Sequence, residues 1–195
     1  MSPKDSRDGL FYPELGRTRL NGEVPTGEGR WPAGFGHVDR QVRVGSGDAA
    51  FKALAEGILT WQIQRRAGLR VSAPPRATVG ARVVSGFGVG DLRLPVPCQV
   101  VWAQEPAGVL RSDGTEVQLA GFGYGTLPGH PALGEEAFIA MKTSDGGVYF
   151  RLLAFSKPSG LLFKLGSPVT KLTQRNVTKA YLEAARSLIQ ATVTQ

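Results

Sequence analysis

The stretch Gly121–Glu136, GFGYGTLPGHPALGEE, constrains the fold most. It packs glycines, two prolines, a tyrosine, a histidine and two adjacent carboxylates into a short span between strand-like apolar runs. Glycine and proline at this density mean backbone held in unusual conformations, not a slack linker. The expectation is an ordered loop with strands on both sides, and polar loops on a rigid scaffold are where function concentrates. No catalytic triad, metal-ligand spacing or nucleotide cradle is written into it.

The flanking sequence says what such a loop is attached to. Val38–Val44 alternates as a first strand should. Asp48 or Ser46 can cap a helix from about 48 to 67, where Phe51, Leu54, Ile58 and Trp61 recur at helical spacing. Arg65 continues that face and either snorkels to water or points into a cavity. Gly68 suits the helix stop. Beyond Pro74 and Pro75 come five strand candidates: 78–89, 96–104, 116–124, 136–143 and 147–156. Ser144–Gly147 is a hairpin turn, and Gln104–Glu116 is expected to be a longer connection. Short links between successive strands imply an antiparallel meander. The series Gly86, Gly88, Gly90 lacks dinucleotide-loop spacing and no helix follows it. The C-terminal part is helical. Leu172, Val177, Tyr181, Ala184 and Leu188 form its apolar face, Lys171, Arg175 and Lys179 a basic stripe beside it, and Pro168 suits its start.

Composition limits the function classes. A chain of 195 residues that is 42% apolar can bury one substantial core. No apolar run approaches the roughly 20 residues that cross a bilayer. The N-terminal residues carry no apolar signal core, so secretion by that route is not expected. A lone cysteine, Cys98, excludes an internal disulfide and fits a reducing, cytoplasmic setting as a buried, inert thiol. The formal charge is +7. Because the basic residues are scattered, nucleic acid is not the expected partner, and contact with an anionic membrane surface remains an alternative. Residues 1–36 read as an irregular arm laid on the domain 37–195 through Phe11, Tyr12, Trp31 and Phe35. His37 reads as a packing or surface residue.

Strand, helix, antiparallel sheet and long C-terminal helix, in that order, resemble the α+β helix-grip fold of START-type lipid carriers and polyketide-cyclase-like proteins. There a curved sheet wraps the last helix. More specifically, QVRVGSGDAAFKALAEGILTW, YGTLPGHPALGEEAF, GGVYFRLLAFSKPSG and LGSPVTKLTQ resemble the uncharacterised family UPF-0548 of bacteria and plants, over about residues 37–195. The residues that carry the likeness are Gly123, Tyr124, Gly125, Thr126, Leu127, Gly129, His130, Gly134, Glu135, Glu136, Phe155, Ser156, Lys157 and Pro158. The resemblance implies no established activity.

Three chemical readings of the central stretch compete. His130 with Glu135 or Glu136 would make a general acid–base pair for a hydrolase- or cyclase-like reaction. The same three as metal ligands are disfavoured, because adjacent residues on a strand point to opposite faces. In the third reading they brace the backbone at the rim of a binding site. The preferred expectation is non-enzymatic binding of a small apolar, lipid-like ligand between sheet and C-terminal helix. Tyr124, Thr126, His130, Arg151, Arg65 and Trp61 are its candidate contacts, with no cofactor and no metal. A basic surface module for nucleic acid or anionic membrane is the other class.

Overall fold

The computed structural model describes residues 9–10, 12, 15–20, 31–89, 92–159 and 167–193. Phe11, Gly90 and the side chains of Lys171 and Leu172 lie outside them. The strands are β1 (Gly36–Ser46), β2 (Arg70–Ser72), β3 (Arg82–Val89), β4 (Leu92–Leu110), β5 (Glu116–Thr126), β6 (Ala132–Lys142) and β7 (Gly147–Pro158). The helices are α1 (Gly47–Leu59), α2 (Gln62–Arg66) and α3 (Ser167–Val193). All strands pair antiparallel in one sheet of order β1-β7-β6-β5-β4-β3-β2. Helix α3 packs on α1, α2 and the β1–β7 side of the sheet. This is the helix-grip arrangement.

The period of two along each strand decides which face is which. Phe122, Tyr124, Phe138, Phe150 and Leu152 point inward, where they meet Phe51, Leu54 and Ile58 of α1 and Tyr181 and Leu188 of α3. Trp102, Leu119, Ile139, Met141 and Leu153 point outward. That outer face is apolar because the arm covers it: Leu20 and Trp31 pack into the same cluster. The rings of Tyr12, Trp31 and Phe35 surround Phe155 at centroid distances of 5.7, 6.1 and 5.5 Å.

Four elements differ from the sequence expectations. The helix expected over 48–67 is two helices. Trp61 adopts φ 66°, the one non-glycine residue with positive φ among those described. Its indole Nε1–H donates to the Pro74 carbonyl at 2.8 Å, and the ring packs edge-on against Phe122 at 4.8 Å. Tertiary packing of this ring outweighs the local cost of the left-handed backbone. The expected Gln104–Glu116 connection is mostly strand. β4 runs on to Leu110 through register shifts at Val100/Trp102 and Gln104/Ala107, and the tight turn comes at Arg111–Gly114. Pro106 falls within the second shift, where the ladder is interrupted and a missing N–H costs least. β2 is too short to show a period. Finally, Gly121–Glu136 is not a loop but the end of β5, a tight turn over 127–131, and the start of β6.

Candidate functional site

That hairpin places its two glutamates on opposite faces, as period-two geometry requires. Glu135 points outward and is only 2% exposed. Its Oε2 accepts from the Tyr12 hydroxyl at 3.0 Å and the Gly16 N–H at 2.8 Å. Its Oε1 accepts from the Thr18 N–H at 3.0 Å and from the Thr18 hydroxyl. The Trp102 indole then donates to Thr18 Oγ1 at 2.9 Å. Burial, and after it the Glu135 charge, pushes the Tyr12 phenol well above its ordinary value. Room for the arm comes from the glycine alternation on the same face. A Cβ at Gly125 would stand 2.0 Å from the Tyr12 hydroxyl, and one at Gly123 2.3 Å from the Trp102 indole nitrogen.

Glu136 faces inward. Its Oε2 accepts from the Tyr124 hydroxyl at 2.9 Å. Tyr181, from α3, stands edge-on to Phe138 at 4.9 Å. Burial pushes the Glu136 carboxyl up to about 7, against the opposing pull of the Tyr124 hydrogen bond. Part of Glu136 still reaches solvent. Burial also raises Tyr124, Tyr181 and the Cys98 thiol, and the Glu136 charge adds to all three. Beside this cluster the rings of Phe122, Phe138 and Phe150 run in sequence across the inner face, with centroids 5.4 and 6.3 Å apart.

A hollow of about 510 Å³ opens beside the hairpin turn, lined by Gly9, Arg82, Val83, Val84, Pro97, Cys98, Leu127 and Pro128. Of these, Val83 and Cys98 belong to the inner core.

The other expected site residues are dispersed. Thr126 lies near the turn, its Oγ1 accepting from Gly134 N–H at 3.1 Å. His130 closes the turn: Nδ1 stands 2.9 Å from both the amide nitrogen and the carbonyl oxygen of Ala132, and one of the two bonds forms in either tautomer. Burial lowers its pKa to about 4. The geometry therefore does not join His130 to a glutamate: its Nδ1 is engaged with Ala132, Glu135 is enclosed by the arm, and Glu136 pairs with Tyr124. Arg151 lies on the outer face, gripping Asp39 through Nε and Nη2 at 2.9 and 2.6 Å, and among the described residues Nη1 has no hydrogen-bond partner. Arg65 is exposed and donates to the Thr60 carbonyl at 2.7 Å. Trp61 belongs to the core. Among the described residues no group of histidine, cysteine and carboxylates is placed to hold a metal ion. None of their helices is long and apolar enough to cross a membrane.

Sequence reasoning missed Tyr181 and Cys98 as neighbours of Glu136, and Tyr12 and Thr18 as partners of Glu135. The alternation Gly121, Gly123, Gly125 was the available signal for the second pair. A strand bare of side chains on one face leaves room for another piece of chain.

A family model described as a domain of unknown function, DUF1990, matches residues 12–184. The chain belongs to that family. The match begins at Tyr12, so it takes in the arm as well as the sheet and helices. A UPF0548 protein of Deinococcus radiodurans is 39% identical over 71 residues, covering 36% of this chain and 34% of that protein. A UPF0548 protein of Arabidopsis thaliana is 34% identical over 96 residues, covering 49% and 45%. The chain thus spans less than half the length of the curated relatives it matches. Among solved structures, a hypothetical protein of Helicobacter pylori superposes with TM-score 0.55 at 12% identity, covering 85% of this chain and 98% of that one. Such a likeness speaks to fold alone.

The two shifted groups of the hairpin give opposite pH dependences. His130 titrates below the ordinary histidine value of 6.5. Between about 4 and 6.5 the unfolded chain binds a proton that the native one refuses, so stability falls as pH drops through that window. Glu136 titrates above its ordinary 4.5. Between about 4.5 and 7 the native chain keeps a proton that the unfolded one has released, so stability falls as pH rises. Denaturation midpoints of Glu136→Gln should therefore climb from pH 4 to 6.5, whereas those of His130→Asn should decline from pH 4.5 to 7. Parallel profiles for both variants and the wild type would contradict these environments.

Proposed function

We propose that this protein binds a small, largely apolar molecule without transforming it. The observation that carries this reading is the hollow of about 510 Å³ beside the β5–β6 turn, bounded mainly by Val83, Val84, Pro97, Leu127 and Pro128. Its volume falls within the span of small-molecule sites, and its walls are of the kind that dominates them. Rings fill much of the inner face, so on this reading the body of the ligand lies beside the turn and not between sheet and α3, where the sequence pointed. Burying a few hundred Å² of apolar surface at about 25 cal/mol per Å² gives useful affinity. The test is native mass spectrometry before and after organic extraction, followed by addition of 2-isopropylnaphthalene. A co-purifying apolar molecule, or stoichiometric uptake of the probe, supports the reading. A clean mass with no uptake would overturn it.

A further inference from the structure

The hollow beside the β5–β6 turn opens on the outer face of the sheet. Val83 belongs to the inner core, so by the period of two Arg82 and Val84 turn the other way. The arm contributes Gly9 to the lining, seated so close to the turn that a Cβ there would stand 3.2 Å from Leu127 Cδ2. Val84, Pro97, Leu127 and Pro128 make the walls apolar, and Arg82 is the one charged residue among those lining the space. Among the described residues no ion pair or hydrogen bond reaches its guanidinium. Its cross-strand neighbour on β4 is Gln99, which carries no charge. Glu135 and Asp39, carboxylates on the same face, are already held, the first by Tyr12, Gly16 and Thr18 and the second by Arg151. An apolar hollow is thus left with a single unbalanced cation on its wall.

On the reading that a small apolar molecule enters this hollow, we infer that the molecule is an apolar monocarboxylate, with Arg82 taking its head and the turn and arm its body. The guanidinium presents parallel N–H donors that match the two oxygens of one carboxylate. One cation balances one negative charge, whereas a phosphate monoester would bring nearly two. Arg82 is exposed, so the pair keeps contact with water and is screened by salt. The apolar walls then supply most of the affinity, and the charged head supplies the selection. No bond is made or broken.

The experiment compares 2-naphthoate with 2-naphthamide and 2-isopropylnaphthalene, which share a ring body and a three-atom head and differ in charge. At neutral pH and low salt the naphthoate is expected to bind about five- to tenfold tighter than either, a margin that shrinks as salt is raised. Arg82→Gln should abolish the margin, and Arg82→Lys should keep part of it, since an ammonium offers charge without the fork. Binding of the hydrocarbon should be unchanged in both, which also reports that the variants fold. Arg40→Gln removes the same charge from β1, at the opposite edge of the sheet from β2 and β3, and should leave the margin intact. Equal affinity for naphthoate and naphthamide in the wild type would overturn this inference and leave the apolar site standing. So would a margin that survives Arg82→Gln, or one that Arg40→Gln reduces as much, because the general positive field would then be its source. Tighter binding of 2-naphthyl phosphate than of naphthoate would overturn the choice of a carboxylate. Failure of every probe to bind would remove the site itself.

Discussion

Glu135→Ala is expected to lower stability by about 3–5 kcal/mol and to open the chain to trypsin at Arg17 and Arg19. Four donors converge on this carboxyl group from a segment more than a hundred residues away. Truncating it leaves the Tyr12 hydroxyl and the Thr18 N–H buried without an acceptor, and the penalty of unpaired buried donors exceeds the net value of the bonds themselves. Glu135→Gln keeps one acceptor oxygen and should lose about half as much. The check on mechanism is coupling. Thr18→Ala should cost much less in the Glu135→Ala background than alone, because both act through one contact. Denaturant midpoints and limited proteolysis read both effects. An unchanged cleavage pattern together with an unchanged midpoint would show that the arm is held by its rings and not by this carboxyl.

The other large effect is expected at Gly134, on the neighbouring residue and of a different origin. Its φ is 153°, and a Cβ there would stand 2.0 Å from the Phe155 carbonyl oxygen and 2.8 Å from the Ser156 Cα. Both are backbone atoms of β7, which cannot swing aside as a side-chain tip can. Gly134→Ala should therefore cost more than about 4 kcal/mol, a drop of roughly 10 °C or more in Tm for a chain of this size. Gly129→Ala is the control. Its φ of 92° strains alanine too, but the nearest atom is 3.9 Å away. It should lose only about 1–2 kcal/mol. Equal losses at the two sites would mean that conformational strain, not the clash with β7, sets the cost.

Much of the scaffold was legible because its elements carry local signals. Which residues of β5 and β6 share a face follows from alternation alone, and the antiparallel order from short links with turn residues. Placing Glu135 and Glu136 on opposite faces needed nothing more. What sits opposite each was not legible, since neither the Tyr12–Thr18 segment nor Tyr181 announces its target by spacing. Trp61 misled for a related reason. Its place in the helical period is regular, and only the fit of its ring against Phe122 and Pro74 turns the backbone aside. The unbroken course of β4 was hidden by Pro106 and the turn residues after it, which made Gln104–Glu116 read as one connection, whereas the proline is accommodated by a register shift. Density of glycine was read as loop, whereas two of those glycines, Gly123 and Gly125, are strand positions kept bare for a second layer.

That second layer has a consequence for handling the protein. Trp102, Leu119, Ile139, Met141 and Leu153 form a continuous oily sheet surface whose covering comes from a separate, thin piece of polypeptide. A shortened chain beginning at Gly36 would present that surface naked to water. Patches of this kind drive self-association, so its loss of solubility should appear before any loss of secondary structure.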